Sequence, residues 1–105
     1  MVVDVLGTCL DGEGRAGQAA YAASKAALAA FSDCLRAELR AAGSRVCLLR
    51  VAPRRTATAL RAACYPGEAP ELLLDPREVG RAVAEAVAAG ARLGPLASGS
   101  TVYLR

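Results

Sequence analysis

Apolar and polar positions along the chain predict strands and helices in alternation. Residues 2–6 form a short run of mainly β-branched apolar residues, which predicts a strand buried on both faces, although Asp4 interrupts it. Residues 45–51 form a second such run before Ala52 and Pro53, and residues 101–104 predict a last strand. We therefore expect three strands, separated by long segments of another type.

The first of these segments, residues 18–42, is rich in alanine and contains neither proline nor glycine, which predicts one long helix. Gly43 is expected to end this helix as a left-handed cap. Spacings of three and four residues give the helix one apolar stripe, made of Leu28, Phe31, Leu35 and Leu39.

A second helix is predicted from its start signal, with Asp75 as N-cap, Pro76 at the first position and Glu78 at the third. We expect it to run to about Ala89 and to stop at Gly90. The long connection before it, residues 54–74, predicts a functional segment with a helical turn near residues 58–63. The order strand, helix, strand, helix, strand indicates a single α/β unit with a parallel sheet.

Composition narrows the possible functions. The 105 residues suit one domain, and a net charge of +3 without a basic run does not favour nucleic-acid binding. No uncharged apolar stretch is long enough to span a membrane, and no signal peptide is visible. Without histidine or a C-x-x-C pair, a metal site is not expected. The four cysteines, Cys9, Cys34, Cys47 and Cys64, predict free and mostly buried thiols in a reducing, cytoplasmic setting.

Gly12, Gly14 and Gly17 spell G-x-G-x-x-G between a predicted strand and a predicted helix, which is the context of a dinucleotide-binding loop. Two details count against that role. Residues 8–11 separate the strand from the first glycine, and the next strand ends in residues 50–53 without an acid for a ribose. A stand-alone nucleotide site at these glycines therefore stays a minor alternative to a flexible or substrate-side loop.

Tyr21 and Lys25 stand four residues apart near the start of the long helix, so their side chains share one face. Reduction of a carbonyl by hydride leaves an alkoxide that needs a proton, and a phenol can supply it. The pKa of free tyrosine is about 10, and a neighbouring ammonium lowers such a pKa by roughly 1–3 units. The positive end of the helix acts in the same direction. The pair is a plausible acid/base device, although the same spacing also occurs in ordinary surface pairs.

Residues 17–28, Gly-Gln-Ala-Ala-Tyr-Ala-Ala-Ser-Lys-Ala-Ala-Leu, resemble the active-site helix of the short-chain dehydrogenases/reductases. The resemblance implies that Tyr21 is the proton donor and that Lys25 binds the nicotinamide ribose. It places Thr8 where the family has a serine that binds the substrate oxygen. It also implies that Pro53 and Thr58 lie beside the cofactor, although Arg54 replaces the family's glycine.

The resemblance extends over nearly the whole chain, and it implies strands five to seven of a Rossmann-like, doubly wound sheet without the nucleotide-binding half. Residues 1–105 would then be a single C-terminal catalytic segment, with an open apolar edge at residues 2–6. The implied function is NAD- or NADP-dependent interconversion of a small-molecule carbonyl and a secondary alcohol. Homo-oligomers through residues 18–42 are also implied. The alternative is a non-catalytic remnant that serves as a fold or assembly module.

Overall fold

The protein is described from a computed structural model, which covers residues 1–6, 15–93 and 101–104. The elements follow in the order expected from the sequence. They are β1 (Val2–Val5), α1 (Ala19–Ala41), β2 (Leu48–Pro53), α2 (Ala59–Cys64), a 3-10 turn (Pro70–Leu72), α3 (Pro76–Leu93) and β3 (Thr101–Leu104).

The three strands form one parallel sheet in the order β1-β2-β3, which confirms the parallel α/β arrangement. Val2 of β1 lies beside Leu48 of β2, and Arg50 of β2 lies beside Thr101 of β3. β2 is the central strand and supplies most of the core. Its buried residues are Leu48, Leu49, Val51, Ala52 and Pro53.

Helices cover opposite faces of this sheet. Successive side chains of a strand point to opposite faces, so Asp4 and its register partner Arg50 share one face. That face meets α1, because Arg50 Nη1 lies 3.0 Å from Asp33 Oδ1. The other face carries Cys47 and Leu49, which pack against Ala86 of α3. The crossover helices of a parallel sheet bury both of its faces in this way.

Asp4, which interrupts the first apolar run, is explained by a polar contact between β1 and α1. Its carboxylate accepts a hydrogen bond from the hydroxyl of Ser32, the buried residue of α1. The same hydroxyl oxygen lies 2.9 Å from the carbonyl oxygen of Leu28, one turn earlier. A partly buried carboxylate needs such partners, so Asp4 fixes α1 against the sheet and does not break the strand.

The prediction that the first strand is buried on both faces is wrong. Val2 is 37% exposed and Val5 is 46% exposed. Within the described ranges, β1 has a neighbouring strand on one side only, so much of its apolar surface stays open.

The predicted start of the second strand is also wrong, since β2 begins at Leu48 and not at residue 45. The backbone N–H of Val46 bonds the hydroxyl of Ser44 at 3.2 Å in a local turn. A local side-chain bond of this kind competes with pairing to the sheet.

Gly90 does not stop the last helix, which corrects the expectation from the sequence: α3 continues to Leu93. Gly90 is buried where α3 crosses the sheet. A Cβ at this position would lie 2.7 Å from Met1 Cε, 3.3 Å from Leu49 Cδ1 and 3.5 Å from Cys47 Sγ. The glycine is therefore needed for close approach of helix and sheet, and not as a terminator.

The remaining end signals are confirmed. Asp75 caps α3 by accepting a 2.8 Å hydrogen bond from the backbone N–H of Arg77. Gly43 follows α1 with a φ of +63°, the left-handed conformation expected of it. Thr58 precedes α2, which matches the predicted helical turn.

The cysteines are less buried than expected. Among the described residues, Cys47 is buried, whereas Cys34 and Cys64 are exposed free thiols, and Cys9 lies outside the described ranges. None of the helices in the described part of the chain is both long and apolar enough to cross a membrane.

The packing of Gly90 predicts that Gly90→Val destabilises the fold by about 1–3 kcal/mol, because the added methyls must displace Leu49 as well as the flexible end of Met1. The matched control is Gly80→Val in the same helix, where a Cβ meets nothing within 4 Å. That change should be neutral or stabilising by about 0.5 kcal/mol, since valine is the better helix former. Urea unfolding of both variants measures the difference, and equal effects would refute the close-approach role.

Candidate active site

Tyr21 and Lys25 lie on the first two turns of α1, where the sequence predicts them. The helix follows a turn in which Gly17 has a φ of +79° and the N–H of Gln18 bonds the carbonyl of Arg15 at 3.2 Å. The first helical bond runs from Ala22 N–H to the carbonyl of Gln18 at 2.8 Å. Both side chains therefore sit near the positive end of the helix.

The two side chains share one face. Lys25 Nζ lies 5.8 Å from the centroid of the Tyr21 ring, a distance at which a cation is attracted to an aromatic face. The Tyr21 side chain is open to solvent, at 49% exposure. The ammonium thus acts on a phenol that a ligand can reach.

Lys25 also connects α1 to the sheet, since Nζ donates a 2.9 Å hydrogen bond to the carbonyl oxygen of Val5. The next N–H, that of Leu6, bonds Val51 of β2 at 2.9 Å. In a trans peptide, a carbonyl and the following N–H point in opposite directions. The Val5 carbonyl therefore faces the open edge of β1, and Lys25 satisfies it there.

Pro53 and Thr58 lie beyond the carboxyl end of the neighbouring strand. Pro53 is the buried last residue of β2, and Arg54 has an exposed side chain while its N–H bonds Leu104 at 3.0 Å. The Thr58 hydroxyl accepts a 3.1 Å hydrogen bond from the N–H of Arg61 as the cap of α2. Carboxyl ends of parallel strands meet at one edge, so β1 and β2 bring Lys25 and Pro53 to the same end of the sheet.

Three of the candidate positions stand outside the described residues. Thr8, expected to bind the substrate oxygen, is one of them, and Gly12 and Gly14 of the glycine loop are the others. Their roles therefore stay predictions.

The segment after β2 is held by one carboxylate that the sequence reading missed. The Glu68 carboxylate accepts two hydrogen bonds from the Arg61 guanidinium, at 2.6 and 2.8 Å, and one from Arg55 at 2.9 Å. The hydrogen bond from Arg61, reinforced by the charges of Arg61 and Arg55, holds the pKa of Glu68 below its usual range. This carboxylate is thus ionised in the folded chain at neutral pH.

A further contact that was not predicted from the sequence joins residues 54–74 to α1. The guanidinium of Arg61 stacks 4.1 Å from the centroid of the Tyr65 ring. The Tyr65 hydroxyl accepts a hydrogen bond from the Gln18 side chain. These partners lie 47 positions apart in the sequence, so no helical or strand periodicity predicts their contact.

A family model described as short chain dehydrogenase matches residues 8–69, more than half of the chain. The matched range contains Tyr21, Lys25, Pro53 and Thr58, as well as Thr8. No curated protein and no solved structure matches the chain.

The lowered pKa of Glu68 predicts a pH-dependent contribution to stability. The carboxylate stabilises the fold above its unfolded-state value of 4.5, and this contribution is lost as the pH falls through the lower folded-state pKa. We expect Glu68→Gln to lower the urea midpoint at pH 7. The difference from the parent chain should shrink as the pH falls below 4.5.

Glu71→Gln is the matched control, because Glu71 is an exposed carboxylate on the adjacent 3-10 turn. Urea midpoints of the three proteins across the acid range test the assignment. A Glu68→Gln effect that stayed constant down to the lowest pH would contradict it.

Proposed function

Since the chain belongs to the short-chain dehydrogenase family, we propose that it takes part in NAD- or NADP-dependent interconversion of a small-molecule carbonyl and a secondary alcohol. The observation that carries the proposal is the exposed phenol of Tyr21 with the Lys25 ammonium 5.8 Å from its ring centroid. This arrangement suits proton transfer at neutral pH, because a nearby cation favours the ionised phenol.

Tyr21 is the acid/base in this proposal. Its hydroxyl gives a proton to the alkoxide oxygen in the reductive direction, and its phenolate removes that proton in the oxidative direction. Lys25 favours the phenolate by its charge. Thr8 supplies a hydroxyl to the substrate oxygen, which keeps that oxygen beside Tyr21.

Three of the described residues, Lys25, Thr58 and Pro53, fit the nicotinamide side of a cofactor. Lys25 uses one of its three hydrogens on Val5 and keeps two for ribose hydroxyls. The Thr58 hydroxyl accepts a hydrogen bond from the Arg61 N–H and keeps its own proton to donate to a cofactor. Pro53 is the last residue of β2. A nicotinamide bound at these residues would supply or accept the hydride. The adenosine part of the cofactor would be held by residues other than Tyr21, Lys25, Pro53 and Thr58.

This proposal predicts that Tyr21→Phe lowers NADPH- or NADH-dependent ketone reduction by about 10²–10⁴-fold, the usual contribution of a positioned acid. Lys25→Met should shift the rising limb of the pH–rate profile for alcohol oxidation to higher pH, because the phenolate loses its neighbouring cation. Arg40→Met is the matched control, since it removes an exposed cation from the last turn of the same helix. Ketone reduction at the parent rate in Tyr21→Phe would refute the assignment.

A second candidate function is a non-catalytic module that assembles through α1. Two observations favour it. Phe31, in the apolar stripe of α1, is 62% exposed, and Arg54 places an exposed cation directly after β2, where it would crowd a nicotinamide. The stripe would then form a homo-oligomer interface, because apolar surface on a helix face favours association.

Cofactor titration separates the two functions. The oxidoreductase predicts saturable binding of NADH or NADPH in the micromolar range, measured by nicotinamide fluorescence, and weaker binding by Lys25→Met. The assembly module predicts no saturable binding at these concentrations. It also predicts a Phe31→Asp variant of lower mass than the parent chain in analytical ultracentrifugation.

A further inference from the structure

Alternate peptide groups of β1 point towards β2. Val2 N–H bonds the Cys47 carbonyl at 2.8 Å, and Leu6 N–H bonds the Val51 carbonyl at 2.9 Å. The backbone groups of a parallel strand alternate in direction from one residue to the next, so the N–H of Asp4 also points inward. The N–H groups of residues 3 and 5 therefore point away from β2.

The outer edge of β1 thus carries both hydrogen-bond donors and acceptors. The donors are the N–H groups of Val3 and Val5. The acceptors are the carbonyls of Met1, Val3 and Val5, because each of them precedes an inward N–H across a trans peptide bond. No strand of the described ranges lies on this side of β1. Such an edge is a template for pairing with another strand.

Lys25 occupies one of the acceptors of this edge. Its Nζ donates a 2.9 Å hydrogen bond to the carbonyl of Val5. A strand added at the edge can therefore pair with the carbonyls of Met1 and Val3, but it reaches the carbonyl of Val5 only if it displaces Lys25. This contact restricts the registers in which a strand can be added.

The remaining groups of the edge are complementary to the same groups of a second copy. In an antiparallel pair centred on Val3, the two Val3 residues exchange two hydrogen bonds, and the Val5 N–H of each copy meets the Met1 carbonyl of the other. All four bonds form while Lys25 keeps the Val5 carbonyl. A pair centred on Asp4 would need that carbonyl and would set two like charges opposite each other.

The pair centred on Val3 also covers apolar surface. Met1 and Val5 are each 46% exposed, and this register sets the Met1 of one copy beside the Val5 of the other. The whole chain exposes 6861 Å², whereas a compact monomer of 10.7 kDa exposes roughly 5,500 Å². A standard interface buries about 800 Å² on each partner, which is less than this difference. The exposed surface is therefore large enough for an interface between two copies.

We propose that the chain forms a homodimer in which β1 pairs antiparallel with β1 of a second copy, centred on Val3. The pairing joins the two three-stranded sheets into one continuous sheet. A two-fold axis makes the contact self-complementary, as is usual for homodimers. The dimer does not depend on the proposed function, because it leaves the contact between Lys25 and Val5 in place.

Sedimentation of the full chain tests the dimer. The parent chain should sediment with twice the monomer mass of 10.7 kDa. Val3→Pro removes one outward N–H and no bond to β2, and proline is tolerated on edge strands. It should weaken dimerisation by about tenfold or more, because the dimer loses one hydrogen bond from each copy. Val3→Thr is the matched control, since it keeps the N–H and the branched shape and should dimerise as the parent does.

The register is tested by oxidation of Val3→Cys. Two residues that exchange both hydrogen bonds have Cα atoms about 5.5 Å apart, which suits a disulfide. We therefore expect a covalent dimer in which the two introduced thiols are joined, identified by peptide mass mapping. Val5→Cys is the matched control, because its counterpart in the second copy would lie about 14 Å away, beyond the reach of a disulfide.

Three results would overturn the inference. The first is a parent chain that sediments as a monomer. The second is an equal yield of the mapped disulfide from Val3→Cys and Val5→Cys, a comparison that also decides the question if the proline variant unfolds. The third is association through α1, which would show as a dimer that Phe31→Asp dissociates and Val3→Pro leaves intact.

Discussion

The ammonium group of Lys25 joins the open edge of the sheet to the candidate proton donor. It donates to the carbonyl of Val5 at the end of β1 and stands 5.8 Å from the ring centroid of Tyr21. The Lys25 side chain thus holds the first turns of α1 against β1. It also places a positive charge beside the phenol of Tyr21. A hydrogen bond between a cation and a backbone carbonyl is stronger than one between neutral groups, which makes it a firm anchor.

The packing around the central strand makes this anchor possible. On one face, the carboxylate of Asp4 and the hydroxyl of Ser32 hold α1 in register with β1. On the other face, Gly90 lets α3 approach Leu49 and Cys47 closely. The first contact is a polar pair between helix and strand, and the second depends on a residue without a side chain, since a Cβ at Gly90 would lie 2.7 Å from Met1 Cε. The fold therefore relies on Asp4 and Gly90, which look like irregularities in the sequence.

The segment after β2 shows how charge can order a surface region that has little apolar burial. Leu60 and Leu72 are largely exposed, at 76% and 56%. The segment is held instead by backbone pairing of Thr56 with Leu74 and by Glu68, which binds both Arg55 and Arg61. Three charges in one network hold their side chains at a smaller entropic cost than isolated surface pairs.

The sequence by itself determined the elements that depend on local interactions. The Asp75 cap, the left-handed Gly43 and the alanine-rich run of α1 act within a few residues, so their outcome could be read directly. The shared face of Tyr21 and Lys25 follows in the same way from the helical repeat.

Only the tertiary structure decided what depends on contacts between distant residues. The exposure of Val5 follows from the absence of a second neighbour for β1 among the described residues, and the continuation of α3 through Gly90 follows from its packing on Leu49. The contact of Gln18 with Tyr65 joins residues that no periodic pattern relates. Such contacts arise only when the chain is folded, because they depend on the relative placement of whole elements and not on the preferences of single residues.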